Sequence, residues 1–152
     1  MKLPKIYLET TMFNYYFDSN RDAHADTVRV FNDIKAGKYE AYTSTYVVDE
    51  LENAPEPKRA NMLKLIREYG LTILEASDDA VILANKYIEN GIVPQKYKTD
   101  ALHIALTSTN DLNIIFSLNF HHIVKRKTKL ETNPINLANG YKPIEILSPM
   151  EV

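Results

Sequence analysis

The chain has 152 residues, of which 45% are hydrophobic and 25% are charged. This length and composition are typical of an ordinary globular protein with one domain. The absence of cysteine excludes disulfides and thiolate metal sites, and the formal net charge of −2 argues against a protein whose whole surface wraps nucleic acid. The apolar run near Met1 is too short for a signal peptide, and no run of about 18 apolar residues predicts a membrane span. We therefore expect a soluble cytoplasmic protein without membrane contact.

Short β-rich runs alternate with longer helical patterns along the chain. The runs that predict strands are 5–9, 39–44, 71–75, 114–118 and 143–147. The helical patterns cover 23–36, 45–54, 57–69, 78–90 and 99–111, with a short piece near 120–124. This alternation predicts an α/β three-layer sandwich, in which helices cover both faces of a mostly parallel central sheet. No linker or repeat divides the chain, so residues 1–152 are expected to form a single domain.

The glycines favour the same organisation and exclude two nucleotide-binding motifs. Gly37, Gly70, Gly91 and Gly140 each follow a helical or turn-like segment, where a left-handed cap favours glycine. None is left for a glycine-rich phosphate loop, so the P-loop and the dinucleotide fingerprint are excluded.

Polar side chains follow two of the predicted strands at their carboxyl ends. Glu9 ends the first strand, and Asn119 follows the fourth. In an open α/β sheet ligands bind along this edge, where the amino termini of the helices also lie. Each residue also has a structural interpretation, because Glu9 can be the first solvated residue of a strand end and Asn119 can bond its own turn.

Two helices are predicted to bring further carboxylates to this edge. Glu50 lies in the second turn of a helix that Ser44 or Thr45 can cap, and Asp100 opens a later helix with Thr99 as its expected cap. Glu50 can also be a surface acid, and Asp100 can simply complement the helix dipole.

The helix that carries Asp100 has a narrow polar stripe. Helical spacing places Asp100, His103 and Thr107 on that stripe, so Asp100 is expected to face outward from an otherwise buried helix. His103 is expected to pack or hydrogen-bond on its helix, because no second histidine lies at metal-ligand spacing.

Convergence of Glu9, Glu50 and Asp100 predicts a cation site. Carboxylates that crowd together repel one another, and burying them unpaired is costly. A divalent cation removes that conflict, and ligands that are all oxygen favour Mg²⁺ or Mn²⁺. Such a site leaves positions for water and a substrate phosphate, which indicates phosphodiester hydrolysis.

Four segments together resemble a known family over nearly the whole chain. They are YLETTMFNYYF (7–17), YTSTYVVDELENAP (42–55), KTDALHIALTSTNDLNIIFSLNFHHIVK (98–125) and NGYKPIEILSPMEV (139–152). The chain resembles the PIN-domain family, and within it the small VapC-like toxin nucleases. DALHIA followed by SLNFHHI is the most specific part of the resemblance. It implies a metal-dependent ribonuclease that uses Mg²⁺ or Mn²⁺, is a homodimer, and has a cognate antitoxin as partner.

The resemblance also implies roles for individual residues. Glu9, Glu50 and Asp100 stand for the three acids that bind metal, and Asn119 stands where many members have a further catalytic acid or asparagine. The expected hydrogen-bond partners of these groups or of metal-bound water are Thr10, Thr11 and Ser117. Two positions depart from the family pattern, because the first acid is more typically aspartate and the fourth residue here carries no charge. Cation binding would therefore rest on three carboxylates.

A basic run follows the predicted site and can guide the backbone of an RNA substrate. Its charged residues are Lys125, Arg126, Lys127 and Lys129. The alternative is a solvated loop.

Two other functions compete with a ribonuclease: a catalytically weak or inactive PIN-like protein that binds RNA or an antitoxin, and a phosphoacceptor signalling domain. The second would need a lysine after a late strand, which SLN does not provide.

Overall fold

The structure is a computed structural model, and it describes residues 2–152. Five strands form its sheet: β1 (Lys5–Leu8), β2 (Glu40–Ser44), β3 (Thr72–Leu74), β4 (Ile114–Phe116) and β5 (Glu145–Leu147). The α-helices are α1 (Thr10–Tyr16), α2 (His24–Lys35), α3 (Thr45–Glu52), α4 (Lys58–Glu68), α5 (Asp78–Glu89), α6 (Lys98–Thr109) and α7 (Arg126–Ala138). Short 3₁₀ turns cover Gln95–Tyr97 and Pro149–Glu151. The predicted α/β class is confirmed.

All strands of the sheet are parallel, and their order is β3-β2-β1-β4-β5. The central strand β1 pairs Ile6 with Ala41 of β2 on one side and with Ile114 of β4 on the other. The chain moves from β1 outward to β3 and then returns to β4, so right-handed crossovers place α1–α4 on one face and α5–α7 on the other. Contacts among α1 to α4, and of α5 with α6 and α7, agree with this division into two helical layers.

The core lies on both faces of β1. Tyr7 and Leu8 are fully buried in this strand, and Phe13, Phe31 and Tyr87 are buried in the helical layers. Strands buried on both faces are typical of parallel sheets. Within residues 2–152, no helix combines the length and the apolar character that are needed to cross a bilayer.

Several local predictions are confirmed and others are wrong. Ser44 caps α3 by accepting the Val47 N–H at 3.3 Å, and all four glycines have positive φ. Thr99 does not cap α6, because that helix begins at Lys98 after Tyr97. The segment 120–124 forms turns instead of a helix. The basic run is not a loop, because it begins α7.

Helix α6 is otherwise buried and Asp100 is only half-buried, as predicted, but the rest of the polar stripe does not reach solvent. His103 and Thr107 are both fully buried, and the helix is buried on all sides from Ala101 to Ser108. Thr107 donates its hydroxyl to the His103 carbonyl at 3.0 Å, and the His103 ring bonds residues of other elements. His103 and Thr107 therefore face buried hydrogen-bond partners, and Asp100 is the residue of the stripe that is partly exposed.

Candidate active site

The strand order creates a crevice at the carboxyl ends of β1 and β4. The chain leaves β1 toward β2 on one face and leaves β4 toward β5 on the other, so the connections diverge between these two neighbours. In doubly wound α/β folds ligands bind at such a switch point. Glu9 directly follows β1 and Ser117 directly follows β4, which places both residues beside the crevice.

Glu9 is held rigidly although it is an acid in the protein interior. Glu9 is only 3% exposed. Its Oε1 accepts hydrogen bonds from the Ser117 hydroxyl at 2.6 Å and the Thr11 N–H at 3.2 Å. The Thr11 hydroxyl donates to the same oxygen. The contact with the Thr11 N–H makes Glu9 the N-cap of α1. Its second oxygen, Oε2, accepts no hydrogen bond from residues 2–152, so it is free to bind a ligand.

Glu50 reaches the same region from α3. Its Oε1 accepts a hydrogen bond from the Thr10 hydroxyl at 2.7 Å and one from Nε2 of His103 at 2.8 Å. The Glu50 side chain is 39% exposed, so it lies at the boundary between the interior and solvent. Both bonds end on one oxygen, and the other oxygen of Glu50 also has no partner in residues 2–152.

A buried chain of hydrogen bonds leads from the protein interior to the Glu50 carboxylate through His103. The Tyr7 hydroxyl lies 2.6 Å from Nδ1 of His103 and 2.7 Å from the Ser44 hydroxyl. A carboxylate only accepts, so Nε2 of His103 carries the proton that is donated to Glu50. The tyrosine hydroxyl both donates and accepts, and it therefore satisfies Nδ1 in the neutral and in the protonated imidazole.

Asp100 lies in the first turn of α6, one helical turn before His103. The carboxylate is half-buried, and its surroundings include His103, His122, Glu50 and the Asn119 side chain. The Asn119 Oδ1 accepts the N–H groups of His121 at 3.2 Å and His122 at 3.1 Å. That oxygen therefore orders the loop after β4, and only the amide NH₂ of Asn119 is left to face Asp100.

The acids have different pKa values because their surroundings differ. Burial raises the pKa of Glu9 and of Asp100, and the negative charge of Glu50 raises both further. Partial burial acts in the same direction on Glu50, but the hydrogen bond and charge of His103 and the hydrogen bond from Thr10 together outweigh it and lower the Glu50 pKa. Burial acts to lower the pKa of His103, and the bond to Glu50 with the nearby negative charges raises it overall. When all three carboxylates are ionised, one imidazolium cannot balance them, so the cluster is formally net negative.

The donor set fits a hard divalent cation in its chemistry. Glu9 and Glu50 each keep one oxygen without a hydrogen bond, and Mg²⁺ and Mn²⁺ prefer oxygen ligands. As they stand, however, no three His, Asp or Glu side chains among residues 2–152 converge closely enough to hold a metal ion. Glu9, Glu50 and Asp100 would be the residues to hold such an ion.

The structure thus brings together most of the residues that the sequence singled out. Glu9, Glu50, Asp100 and Asn119 lie around one crevice. The hydroxyls of Thr10, Thr11 and Ser117 each bond one of the two glutamates.

The basic run has a different geometry from the acids. Lys125 is the N-cap residue of α7, while Arg126 and Lys127 are exposed in its first turn. Lys129 is paired with Glu151 at 2.6 Å, so part of its charge is already compensated. Arg126 and Lys127 are therefore the cations of the run that are best placed to meet a polyanion.

Sequence reasoning missed Tyr7 and Ser44 as supports of the site. Tyr7 was read as part of an apolar run, and Ser44 only as a helix cap. A tyrosine in a strand buried on both faces was a usable signal, because a buried phenol normally has a hydrogen-bond partner. The partner itself, His103, could not be inferred without the packing of α6 on β1.

These features define an α/β protein with an acidic site at the carboxyl edge of a parallel sheet. The sequence model of the PIN-domain family matches residues 6–126, so the chain belongs to this family. VapC20 of Mycobacterium tuberculosis, a toxin that cleaves the sarcin–ricin loop, has a similar fold, with a TM-score of 0.59 at 12% identity over 91% of this chain and 98% of that one.

A second solved structure supports the same fold. VapBC2 from Rickettsia felis, bound to a DNA fragment from its promoter, aligns with a TM-score of 0.55 at 14% identity, covering 95% of this chain and 98% of the other. Among curated protein sequences, none matches the chain significantly.

Proposed function

We propose that this PIN-domain protein is a metal-dependent endoribonuclease that hydrolyses RNA phosphodiester bonds. The observation that carries the proposal is the net negative cluster of Glu9, Glu50 and Asp100 at the switch point of the sheet. Holding these carboxylates together without a cation is unfavourable, and nothing in the packing of the fold requires three acids there. The similarity of fold to VapC20, a toxin that cleaves the sarcin–ricin loop, supports RNA as the substrate class.

Glu9, Glu50 and Asp100 would hold Mg²⁺ or Mn²⁺, which when bound activates water and neutralises charge on a phosphate. The protein's own contribution is to fix the carboxylates. Ser117 and Thr11 fix one oxygen of Glu9, so that its other oxygen faces the crevice.

Glu50 is fixed in the same manner by Thr10 and His103. Partners that orient metal ligands typically contribute 10–100-fold to metal affinity or activity. In the hydrolysis, the water oxygen bonds to phosphorus, the bond from phosphorus to the leaving ribose oxygen breaks, and that oxygen takes up a proton. Asn119, through its amide NH₂, would orient Asp100 during this step.

Cations next to the site would position the RNA backbone. Arg126 and Lys127 begin α7 shortly after Asn119, and Lys125 and Lys129 flank them. Phosphate contacts of this kind fix the register of a nucleic acid and carry no sequence information.

We further propose that the protein is the toxin of a type II toxin–antitoxin pair, binds a cognate antitoxin and forms a homodimer. The likeness to VapC20 and to the VapC chain of VapBC2 supports this role.

One observation favours a second candidate, a PIN-like protein that binds RNA or an antitoxin without cleaving. His103 already donates to Glu50, and Asn119 contributes no charge. An imidazolium there would offset part of the negative charge and so reduce the need for a metal ion.

Cleavage assays separate the two candidates. A labelled single-stranded RNA is incubated with wild type, Glu9→Gln and Glu40→Gln, in Mn²⁺ and in excess chelator. The ribonuclease proposal expects cleavage by wild type in Mn²⁺ only, none by Glu9→Gln, and full activity in Glu40→Gln, whose exposed carboxylate lies at the opposite end of the sheet. Equal cleavage by wild type and Glu9→Gln would contradict it, because the activity would then come from a contaminant or another site.

A further inference from the structure

Three aromatic rings form a ledge beside the acidic cluster. Tyr97 and His122 are stacked, with ring centroids 4.2 Å apart and an interplanar angle of 28°. The His121 ring lies next to His122, tilted by 48°, with its centroid 6.3 Å from that of His122. Tyr97 is 42% exposed and His121 is exposed as well, so the aromatic ledge formed by Tyr97, His122 and His121 is accessible from solvent.

The backbone fixes this ledge to the candidate active site. Tyr97 is the residue that precedes α6, three positions before Asp100. His121 and His122 directly follow the loop that Asn119 orders through its side-chain oxygen. Asp100 also senses the charge of His122, which acts to lower the carboxyl pKa. The aromatic ledge therefore borders the acids on the side of Asp100 and Asn119.

Internal hydrogen bonding does not account for the ledge. The Tyr97 hydroxyl makes no hydrogen bond with any residue in the described range 2–152, and the buried Nδ1 of His122 has no partner there either. The His122 ring is held by stacking on Tyr97. The Lys96 ammonium lies 5.8 Å from the centre of the Tyr97 ring, which adds a cation to the same surface. An exposed tyrosine, an exposed imidazole and a lysine form a surface that is suited to nucleic acid.

We propose that the aromatic ledge stacks an unpaired nucleobase of the RNA strand whose phosphate lies at the acidic cluster. The proposal rests on the proposed function only in taking RNA as the ligand. Aromatic and imidazole rings are the surfaces on which splayed bases of single-stranded RNA stack, whereas paired bases in a duplex are not accessible to them. The enzyme would therefore cleave next to an unpaired base and spare a continuous duplex.

The test measures base stacking directly, in the absence of cleavage. Wild-type protein in excess chelator is titrated into a single-stranded RNA that carries 2-aminopurine, whose fluorescence falls when it stacks on a ring. The chain contains no tryptophan, so the signal is free of indole background. We expect quenching by wild type and by Tyr97→Phe, and quenching lost in Tyr97→Leu with an affinity about 5- to 100-fold weaker, the range for loss of one stacked base.

The matched control is Phe17→Leu, which removes a ring of the same exposure, 42%, at the end of α1. It should leave quenching unchanged. If Tyr97→Leu proves to melt abnormally, His121→Leu serves as the second variant, because it also shortens the aromatic ledge and its ring is exposed. Quenching equal to wild type in both variants would overturn the proposal.

The experiment also separates this proposal from the ribonuclease proposal. Quenching by wild type that depends on Tyr97, without cleavage after addition of Mn²⁺, supports the ledge and contradicts catalysis. Cleavage in Mn²⁺ without any quenching overturns the ledge and leaves catalysis standing. Equal affinity for a continuous duplex, measured by fluorescence anisotropy, would also overturn it, because the ledge would then not select an unpaired base.

Discussion

The charged side chains at the two edges of the sheet differ in their exposure and in their partners. At the amino edge, charged groups are exposed and paired singly, as in the contact of 3.5 Å between Lys142 and Asp111, whose side chains are 80% and 67% exposed. At the carboxyl edge, Glu9 is buried with hydroxyl donors around it, and burial together with the negative charge of Glu50 raises the pKa of Asp100. The same strands thus end in a solvated surface on one side and a crowded acidic site on the other.

This difference supports the proposal that the acids of the carboxyl edge have a functional role. Exposed pairs such as Lys142–Asp111 contribute little to stability, typically about 0–1 kcal/mol, and their loss is tolerated. Buried like charges instead work against the folded state unless a ligand compensates them. A fold that keeps Glu9 in its interior accepts a cost that its hydroxyl donors and His103 offset only in part, which supports the proposed role of this edge in ligand binding.

The largest predicted effect concerns two buried tyrosines. Tyr7→Phe removes the hydroxyl that joins Ser44 to Nδ1 of His103, and should lower kcat about 10- to 100-fold, the usual range for a residue that orients a ligand. Tyr87→Phe removes a hydroxyl that bonds Asn136 and Ser108, away from the acids. Both changes should cost about 1–3 kcal/mol of stability, because each leaves a buried partner unsatisfied.

Thermal melts together with single-turnover cleavage provide the check. Equal loss of stability with a selective loss of kcat in Tyr7→Phe would support a positioning role for Tyr7. Full activity in Tyr7→Phe would show that the hydrogen-bond chain behind Glu50 is purely structural.

The next largest predicted effect is that Glu9→Gln stabilises the metal-free protein. Burial raises the Glu9 pKa, so the folded state binds that proton more tightly and loses stability as the pH rises above the ordinary glutamate value of about 4.3. Glu9→Gln cannot ionise and still accepts hydrogen bonds. We expect it to exceed wild type by about 1 kcal/mol near neutral pH in chelator, or about 2–4 °C in melting temperature, with the gap closing toward pH 4.

Glu40→Gln at the amino edge is the control for that measurement, and it should stay within about 0.5 kcal/mol of wild type at every pH. A gap for Glu9→Gln that widens on acidification would refute the assigned direction of the Glu9 pKa.

The smallest predicted effect is on the salt dependence of RNA binding when cations at the two edges are neutralised. Arg126→Gln and Lys127→Gln should each reduce the salt slope of single-stranded RNA binding by about 0.7, the value for one phosphate contact. Lys129→Gln should reduce it less, because Lys129 is paired with Glu151. Lys142→Gln, at the amino edge, should leave the slope unchanged. Fluorescence anisotropy at several salt concentrations measures these slopes, and identical slopes in all four variants would remove the basic run from the RNA path.

The strands were predictable from sequence to within about two residues, because their apolar runs are bounded by turn residues. Helix α7 was missed for a physical reason. Its buried face consists of Thr128, Thr132 and Asn136, which recur every four residues but are polar, so no apolar period marks it. Pro134 inside the helix further argued against it. Tertiary hydrogen bonds, such as that of Asn136 with Ser108 at 2.9 Å, stabilise a helix that propensity alone does not favour.

The candidate site was predictable only in part. The rule that polar residues gather at the carboxyl edge was sufficient to select Glu9, Glu50 and Asp100. The rule gives positions along the sheet and not side-chain directions, so it could not assign His103 as the donor to Glu50. The turn interpretation of Asn119 is confirmed, because its Oδ1 accepts the backbone N–H groups of His121 and His122 in its own loop.

Isothermal titration calorimetry with Mn²⁺ tests the central claim most directly, because binding does not depend on finding the right RNA. Asp100→Asn removes one carboxylate charge from the carboxyl edge, and Asp111→Asn makes the same chemical change at the amino edge, at a residue with φ of 60° that asparagine also tolerates. We predict that wild type and Asp111→Asn bind Mn²⁺ with the same affinity and that Asp100→Asn binds at least about 10-fold more weakly. Equal Mn²⁺ affinity in all three proteins, or none in any of them, would contradict a metal site built by Glu9, Glu50 and Asp100.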